Sequence, residues 1–362
     1  MSLSQEEHKH YNRHLILEEI GEVGQLKLKQ AKVLVIGAGG LGCPILQYLT
    51  AAGVGTLGII DHDTIDQSNL QRQILYSYDA IGQFKAEVAA QKLSGLNPFV
   101  NFEVYLQKLT SEIAIELFSK YDLVVDGSDN FPTRYLVNDA AVLSSKPVVF
   151  GSIYKFEGQV SVFNYNNGPT YRCLYPNAPK PNEVPNCSEI GVLGVLPGII
   201  GALQANEVIK LICGVGDVLS GKLLTYNALT MQQFILSFHK DENIQITALD
   251  ADYDVLCGLP KSNLEITKNE LKANLEHYNL LDVREDFERA QHHIGGQHIP
   301  LVELKSRLYE ISQDKDLVVY CKAGIRSKLA IEIIKESGFK MQLLNLKDGV
   351  LNRSSKKIFV NN

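Results

Sequence analysis

Two short segments of this 362-residue chain combine glycines with nearby charged groups or a thiol in reactive arrangements. The first is Gly37-Ala-Gly39-Gly40-Leu-Gly42, between the apolar run 32–36 and a long apolar segment starting at Cys43. Glycines at this spacing let backbone N–H groups and a helix N-terminus approach a phosphate. A tight turn with close helix packing needs the same pattern. Asp61 ends the next β-rich run, where a carboxylate meets a ribose. On these residues alone an NAD-linked or flavin oxidoreductase leads. Asn69-Leu-Gln-Arg72-Gln73 and Lys85 argue otherwise. Two cations so near a phosphate loop suit a triphosphate, where they neutralise charge as a phosphorus is attacked. Taken singly, each could be a solvated surface charge. Asp129 follows another apolar run, 121–126, and a Gly-Ser turn. It is a hard oxygen donor suited to Mg²⁺ on ATP phosphates, and an Asx turn or helix cap is its plainer use.

The second segment is Cys321-Lys-Ala-Gly324-Ile-Arg326-Ser327, directly after Val318-Val-Tyr320. Backbone N–H groups curling around the sulfur, with a helix N-terminus facing it, favour thiolate over thiol and hold a charged persulfide. Arg326 would brace the loop or bind an anionic donor. Cysteine phosphatases place five residues between Cys and Arg. Four stand here, a tighter loop that suits sulfur better than phosphate. Cys187 lies in a Pro- and Asn-rich stretch, 166–197, read as a long surface loop. It is either a reactive thiol or an inert loop residue. Cys43 and Cys213 read as helix-packing residues.

These residues need a scaffold. Runs 32–36, 56–61, 121–126 and 147–151 read as strands, with helices after Gly42 and over 85–97. That alternation predicts α/β architecture, a Rossmann-like domain with a mainly parallel sheet. Segment 156–165 reads as hairpin-like strands that turn the sheet mixed. A composition shift near 258 predicts a first domain over 1–258, a linker over 259–270 and a smaller α/β domain over 271–362. In the smaller domain, strands are expected at 278–283, 317–320 and 343–346, with helices near 301–311 and over 328–337.

Composition narrows the function. Acidic residues number 41 against 35 basic, a net charge of −6, so no basic excess points to nucleic acid. Apolar residues make up 45 %, enough for a packed core. The most apolar stretch, 197–213, is broken by Gln204, Asn206, Glu207 and Lys210, and reads as a buried helix rather than a membrane span. No secretory signal opens the chain, and six cysteines over this length are no disulfide scaffold. A thiol-reducing cytoplasm is the expected setting.

Residues 5–258 resemble the MoeB/ThiF/HesA family, bacterial relatives of ubiquitin-activating (E1-like) enzymes. The resemblance rests on Tyr11-Asn-Arg13-His, Gly37–Gly42, Asp61 with Asn69-Leu-Gln-Arg-Gln, Lys85, Asp129-Asn-Phe-Pro-Thr-Arg134-Tyr-Leu-Val-Asn-Asp, Pro185-Asn-Cys187 and residues 191–198. It implies adenylation of the C-terminal glycine of a small ubiquitin-like sulfur carrier ending in Gly-Gly. Gly37, Gly39, Gly40 and Gly42 would line the phosphate turn and Asp61 would hold the ribose. Asn69, Arg72 and Lys85 would contact phosphates, and Asp129 would bind Mg²⁺. Arg13 resembles an arginine that reaches a neighbouring subunit's ATP, which implies a homodimer. Cys187 matches a cysteine that in related two-domain proteins bonds the carrier or accepts sulfur. The family's two zinc-holding Cys-x-x-Cys pairs read here as Cys173-Leu-Tyr-Pro176 and Asp254-Val-Leu-Cys257, so structural zinc is not expected.

Residues 265–362 resemble the rhodanese family through Cys321–Ser327, Leu281-Asp282-Val-Arg284-Glu and His293-Ile-Gly-Gly-Gln-His298-Ile-Pro300. The resemblance gives Cys321 a sulfur-carrying role, and Asp282 and Arg284 a scaffold role. The family's arginine after the cysteine is Lys322 here, and its Gly-Gly-x-x-x-Trp ending is reduced to Asp348-Gly349. Together the halves imply a sulfur-carrier adenylyltransferase fused to a sulfurtransferase, of the molybdopterin, thiamine or tRNA-thiolation kind. The sulfur donor would be a persulfide or thiosulfate. The alternatives are a sulfurtransferase whose first domain only docks the carrier, the NAD-linked oxidoreductase, and a non-catalytic interaction module.

Overall fold

The computed structural model describes residues 2–178, 191–257, 265–322, 324–339, 341–347 and 349–350. Cys187, residues 259–264 of the expected linker and Asp348 lie outside them. The chain divides into two compact units, Met1–Gly258 and Leu259–Asn362.

The first unit is built on eight strands: β1 (Lys32–Ile36), β2 (Thr56–Ile60), β3 (Asn101–Tyr105), β4 (Leu123–Asp126), β5 (Val148–Tyr154), β6 (Glu157–Phe163), β7 (Lys222–Asn227) and β8 (Gln233–Ser237). Their order is β3-β2-β1-β4-β5-β6-β7-β8. The five strands from β3 to β5 run parallel, and β5 to β8 pair antiparallel. Four of the five residues of β1 are buried, because helices cover both faces of this central strand. Chain order reverses between β1 and β4, so a crevice opens past their carboxyl ends.

Helix Gly42–Ala52 follows β1 and stops at Gly53, whose φ of +82° closes the left-handed cap. Helix Leu196–Cys213 is long and apolar enough to cross a membrane by length and composition alone. It is a core helix instead, packed on helices Gly21–Gln30 and Gly42–Ala52 and on β5 and β6. Two of its buried polar side chains make hydrogen bonds inside the fold. Gln204 Nε2 donates to the Asp126 carbonyl at 2.8 Å, and the Leu219 N–H donates to Glu207 at 2.9 Å. On the other sheet face, buried Asp139 of helix Phe131–Leu143 receives Arg172 through two bonds of 2.7 Å and the Tyr253 hydroxyl at 2.7 Å. One carboxylate thus ties together three separate segments.

The second unit holds β9 (Glu265–Ile266), β10 (Tyr278–Asp282), β11 (Gln297–His298), β12 (Asp316–Tyr320) and β13 (Leu343–Leu346), in the order β11-β10-β12-β13-β9. All its pairings are parallel. Four residues separate β12 from helix Ile325–Glu336.

Several expectations change in detail. The expected linker reaches into structure, since Glu265–Ile266 pairs with β13 and Lys268–Ala273 is helical. The expected loop over 166–197 contains a 3₁₀ turn at Tyr165–Asn167 and a helix at Tyr171–Leu174. The expected helix near 301–311 is two short pieces, Leu301–Leu304 and Leu308–Glu310. Local capping, with Thr170 ahead of Tyr171 for example, overrides a reading made from proline content.

Candidate active site

Gly37 leaves β1 with φ +86°, a conformation side-chain residues avoid. The chain then turns so tightly that a Cβ on Gly42 would lie 2.0 Å from the Gly37 carbonyl oxygen. Only hydrogen fits there. The Ala38 N–H donates to Asp61 at 2.7 Å and the Asp63 N–H donates to its other oxygen at 2.8 Å. Burial raises the Asp61 carboxyl above the usual range against the pull of those two bonds.

A cavity of about 580 Å³ lies at the carboxyl ends of the strands, within the usual range for a small-molecule site. Gly37, Gly39, Gly40, Asp61, Asn69, Arg72, Lys85 and Asp129 all line it. Lys85 opens helix Lys85–Leu96, is buried, and sets its ammonium 2.9 Å from Asp63. Arg72 Nη1 donates to the Ser68 carbonyl at 3.1 Å. Gly42 does not line the cavity, and its part is the close backbone approach. Arg13 is exposed on helix Asn12–Leu15 and does not line it either.

Sequence reasoning missed three residues here. Among the described residues, five buried side-chain polar atoms have no hydrogen-bond partner, and Gln73 Oε1, Ser128 Oγ and Arg134 Nε are three of them. All three residues line the cavity. A buried unpaired polar atom costs about 1–3 kcal/mol, so this wall suits a ligand rich in donors and acceptors. A nucleotide is such a ligand, and Asp129 adds a carboxylate to the same wall. Arg134 also sits over the Phe131 and Phe150 rings at 5.4 and 5.6 Å. Burial raises the Asp126 carboxyl, and the Arg134 charge opposes that rise. The available signal was position: Gln73 adjoins Arg72, and Arg134 falls within the Asp129 motif.

In the second unit Cys321 is buried at the end of β12. The Gly324 N–H donates to its sulfur at 3.1 Å, and Gly324, with φ +87°, caps the following helix. Arg326 does not stand free for a donor. It grips Glu288 through two bonds of 2.6 and 2.7 Å, which holds that carboxyl down to about 2. Arg284 donates to both Asp282 oxygens, at 2.9 and 2.7 Å, and to the His292 carbonyl at 2.7 Å. Burial pushes Asp282 up, but Arg284 outweighs it and the carboxyl stays low. Gly349 has φ +57°, and a Cβ there would lie 2.4 Å from the Cys321 and Lys322 backbone. It lets the final turn lie against the sulfur loop.

Among the described residues, the two cysteines left from the zinc pairs have other neighbours. The residue beside Cys173 is Thr170, with Oγ1 at 3.4 Å from Sγ, rather than Pro176. The Asp241 N–H also donates to Cys173 at 3.4 Å. Burial, then the Asp254 charge, pushes the Cys257 thiol up to about 11. Structural zinc takes four ligands, mostly Cys and His, and Cys173, Cys257 and Asp254 offer three.

Residues 11–246 match the ThiF family and residues 267–354 the rhodanese-like domain. The chain belongs to the ThiF family. This ThiF-family chain is 44 % identical to the probable adenylyltransferase/sulfurtransferase MoeZ of Mycobacterium tuberculosis, over 97 % of its own length and 93 % of the relative's. It is 49 % identical to a sulfur carrier protein adenylyltransferase of Thermus thermophilus, over 72 % of this chain and all of that one. It is 38 % identical to the adenylyltransferase and sulfurtransferase MOCS3 of Xenopus laevis, over 93 % and 83 %. Among solved structures, Escherichia coli MccB with MccA-N7isoASN superposes with a TM-score of 0.60 at 21 % identity, covering 71 % of this chain and 75 % of MccB. That likeness concerns the fold. The chain is an adenylyltransferase joined to a rhodanese-like sulfurtransferase domain.

Proposed function

We propose that the first unit adenylates the C-terminal glycine of a small ubiquitin-like sulfur carrier with ATP, and that the second unit supplies sulfur for a carrier thiocarboxylate. The observation that carries this reading is one cavity lined by Arg72, Lys85 and Asp129 together with three side chains that each hold a buried polar atom without a hydrogen-bond partner. The carrier carboxylate attacks the α-phosphorus, the α–β bridging bond breaks and pyrophosphate leaves. No protein nucleophile is needed, so catalysis rests on alignment and charge. Gly37, Gly39 and Gly40 give the phosphates close backbone, and Asp61 holds the ribose. Asn69, Arg72 and Lys85 meet the phosphates. Lys85 exchanges its bond to Asp63 for a phosphate oxygen. Mg²⁺, held through Asp129, supplies further positive charge. A terminal Gly-Gly is slender enough to lie beside the nucleotide. Arg13 serves the site of a second copy in a homodimer.

The acyl-adenylate is then open to a Cys321 persulfide, loaded from a persulfide or thiosulfate donor. Its terminal sulfur attacks the acyl carbon and AMP leaves, giving an acyl disulfide. A second thiolate, assigned to Cys187, attacks the Cys321 sulfur and expels the thiocarboxylate. The Cys321–Cys187 disulfide left behind is reduced by thiols of the cytoplasm. Joining both activities in one chain raises their effective concentration. Intact-mass analysis of Gly-Gly-ended carriers, such as those of molybdopterin or thiamine synthesis, tests the reading. After incubation with ATP, Mg²⁺ and a persulfide donor, one carrier should exchange a terminal oxygen for sulfur. Sulfur exchange at the same rate without ATP would show that the first unit only docks the carrier.

A further inference from the structure

Two buried neutral residues stand behind the sulfur of the second unit. Ser327, in the first turn of helix Ile325–Glu336, and Asn345, in β13, are 0 % and 2 % exposed. Ser327 Oγ lies 3.3 Å from Cys321 Sγ and 2.5 Å from Asn345 Oδ1. Asn345 Nδ2 donates to Glu265 at 3.3 Å, which turns the amide oxygen toward Ser327. Glu265 is itself held by Lys328 at 2.8 Å. The serine therefore has one proton and, among the described residues, two acceptors.

We propose that Ser327, poised by Asn345, is a positioning residue that sets how readily Cys321 becomes a thiolate. With a neutral thiol, the hydroxyl donates to Asn345 and accepts the S–H. With a thiolate, the hydroxyl turns its proton to the sulfur, beside the Gly324 N–H. Asn345 competes for that proton and restrains ionisation, and Ser327 permits it. Of the charged groups around the loop, Arg326 is bonded to Glu288 while its charge also reaches Cys321, Arg284 and Arg289 hold Asp282, and Lys328 holds Glu265. Lys322 is exposed. Arg326 is pinned in place by Glu288, whereas the Ser327 hydroxyl can turn its proton between the sulfur and Asn345.

This inference rests on Cys321 as the sulfur-carrying nucleophile, but its test reads the thiol alone. The full chain is alkylated with iodoacetamide across a pH series, and mass spectrometry follows the peptide that carries Cys321. Ser327→Ala should raise the apparent pKa of alkylation by about one pH unit. Asn345→Leu, or Asn345→Ala if leucine distorts the sheet, should lower it, because the hydroxyl proton then has only the sulfur to go to. Ser327→Thr, which keeps a hydroxyl, should stay near the parent value. Shifts of opposite sign support the proposal. Shifts of the same sign, as a loosened core would give, or no shift in either variant, overturn it. Opposite shifts in a chain whose Cys321 carries no sulfur would leave this inference standing and remove the proposed sulfur step.

Discussion

Lys85 is 8 % exposed and its partner Asp63 is 56 % exposed, so the cation is built into the wall and the anion is not. The ammonium is fixed before any phosphate arrives, the preorganisation that stabilises charge in a transition state. Lys85→Ala should lower carrier-dependent pyrophosphate exchange by about 10²–10³-fold, with thiosulfate sulfurtransferase activity unchanged. Assays of both activities on one preparation check this. In the second unit, Glu288 is held near 2 by Arg326, against 4.5 unperturbed. A carboxyl lowered by folding stabilises fully above its unfolded value, and the gain disappears as pH falls from about 4.5 through about 2. Glu288→Gln should therefore cost about 1 kcal/mol at pH 7, moderated by solvent at the 30 %-exposed Arg326, and progressively less in that acid window. Thermal melts of parent and variant at pH 7, 4 and 3 measure the gap.

At the scale of elements, the strand–glycine–helix unit was legible because three signals agree: β1 is a continuous apolar run, Gly37 permits its turn, and Gly42 admits the helix. The Cys321 loop was legible for the same reason. What stayed hidden depends on side chains far apart in sequence. Asp139, Arg172 and Tyr253 give no local pattern, yet they bind three segments, two of which carry the remaining zinc-pair cysteines. Gln73, Ser128 and Arg134 likewise show their importance only when burial leaves one polar atom of each without a partner. We expect the Asp139 network to do here what a metal clip does elsewhere. Asp139→Asn breaks a buried ion pair and should cost about 3–5 kcal/mol, whereas a zinc chelator should leave the parent's melting temperature unchanged. A drop in melting temperature on chelation would restore the metal.

At the scale of the whole molecule, the chain carries two compact units with separate chemistry. The proposed dimer makes a distinct prediction, since Arg13 does not line the cavity of its own chain. Arg13→Ala and Lys85→Ala should each abolish exchange alone. Mixed and refolded or co-expressed, they should recover about a quarter of parent activity, because half the dimers then carry one intact site. No recovery would place Arg13 outside the reaction. The measurement closest to the central claim is exchange of labelled pyrophosphate into ATP by the full chain with Mg²⁺ and a Gly-Gly-ended carrier. Label should enter ATP only when carrier is present, and should be lost in Asp129→Ala and retained in Cys321→Ser. A chain that binds both ATP and carrier yet exchanges no pyrophosphate would contradict that claim.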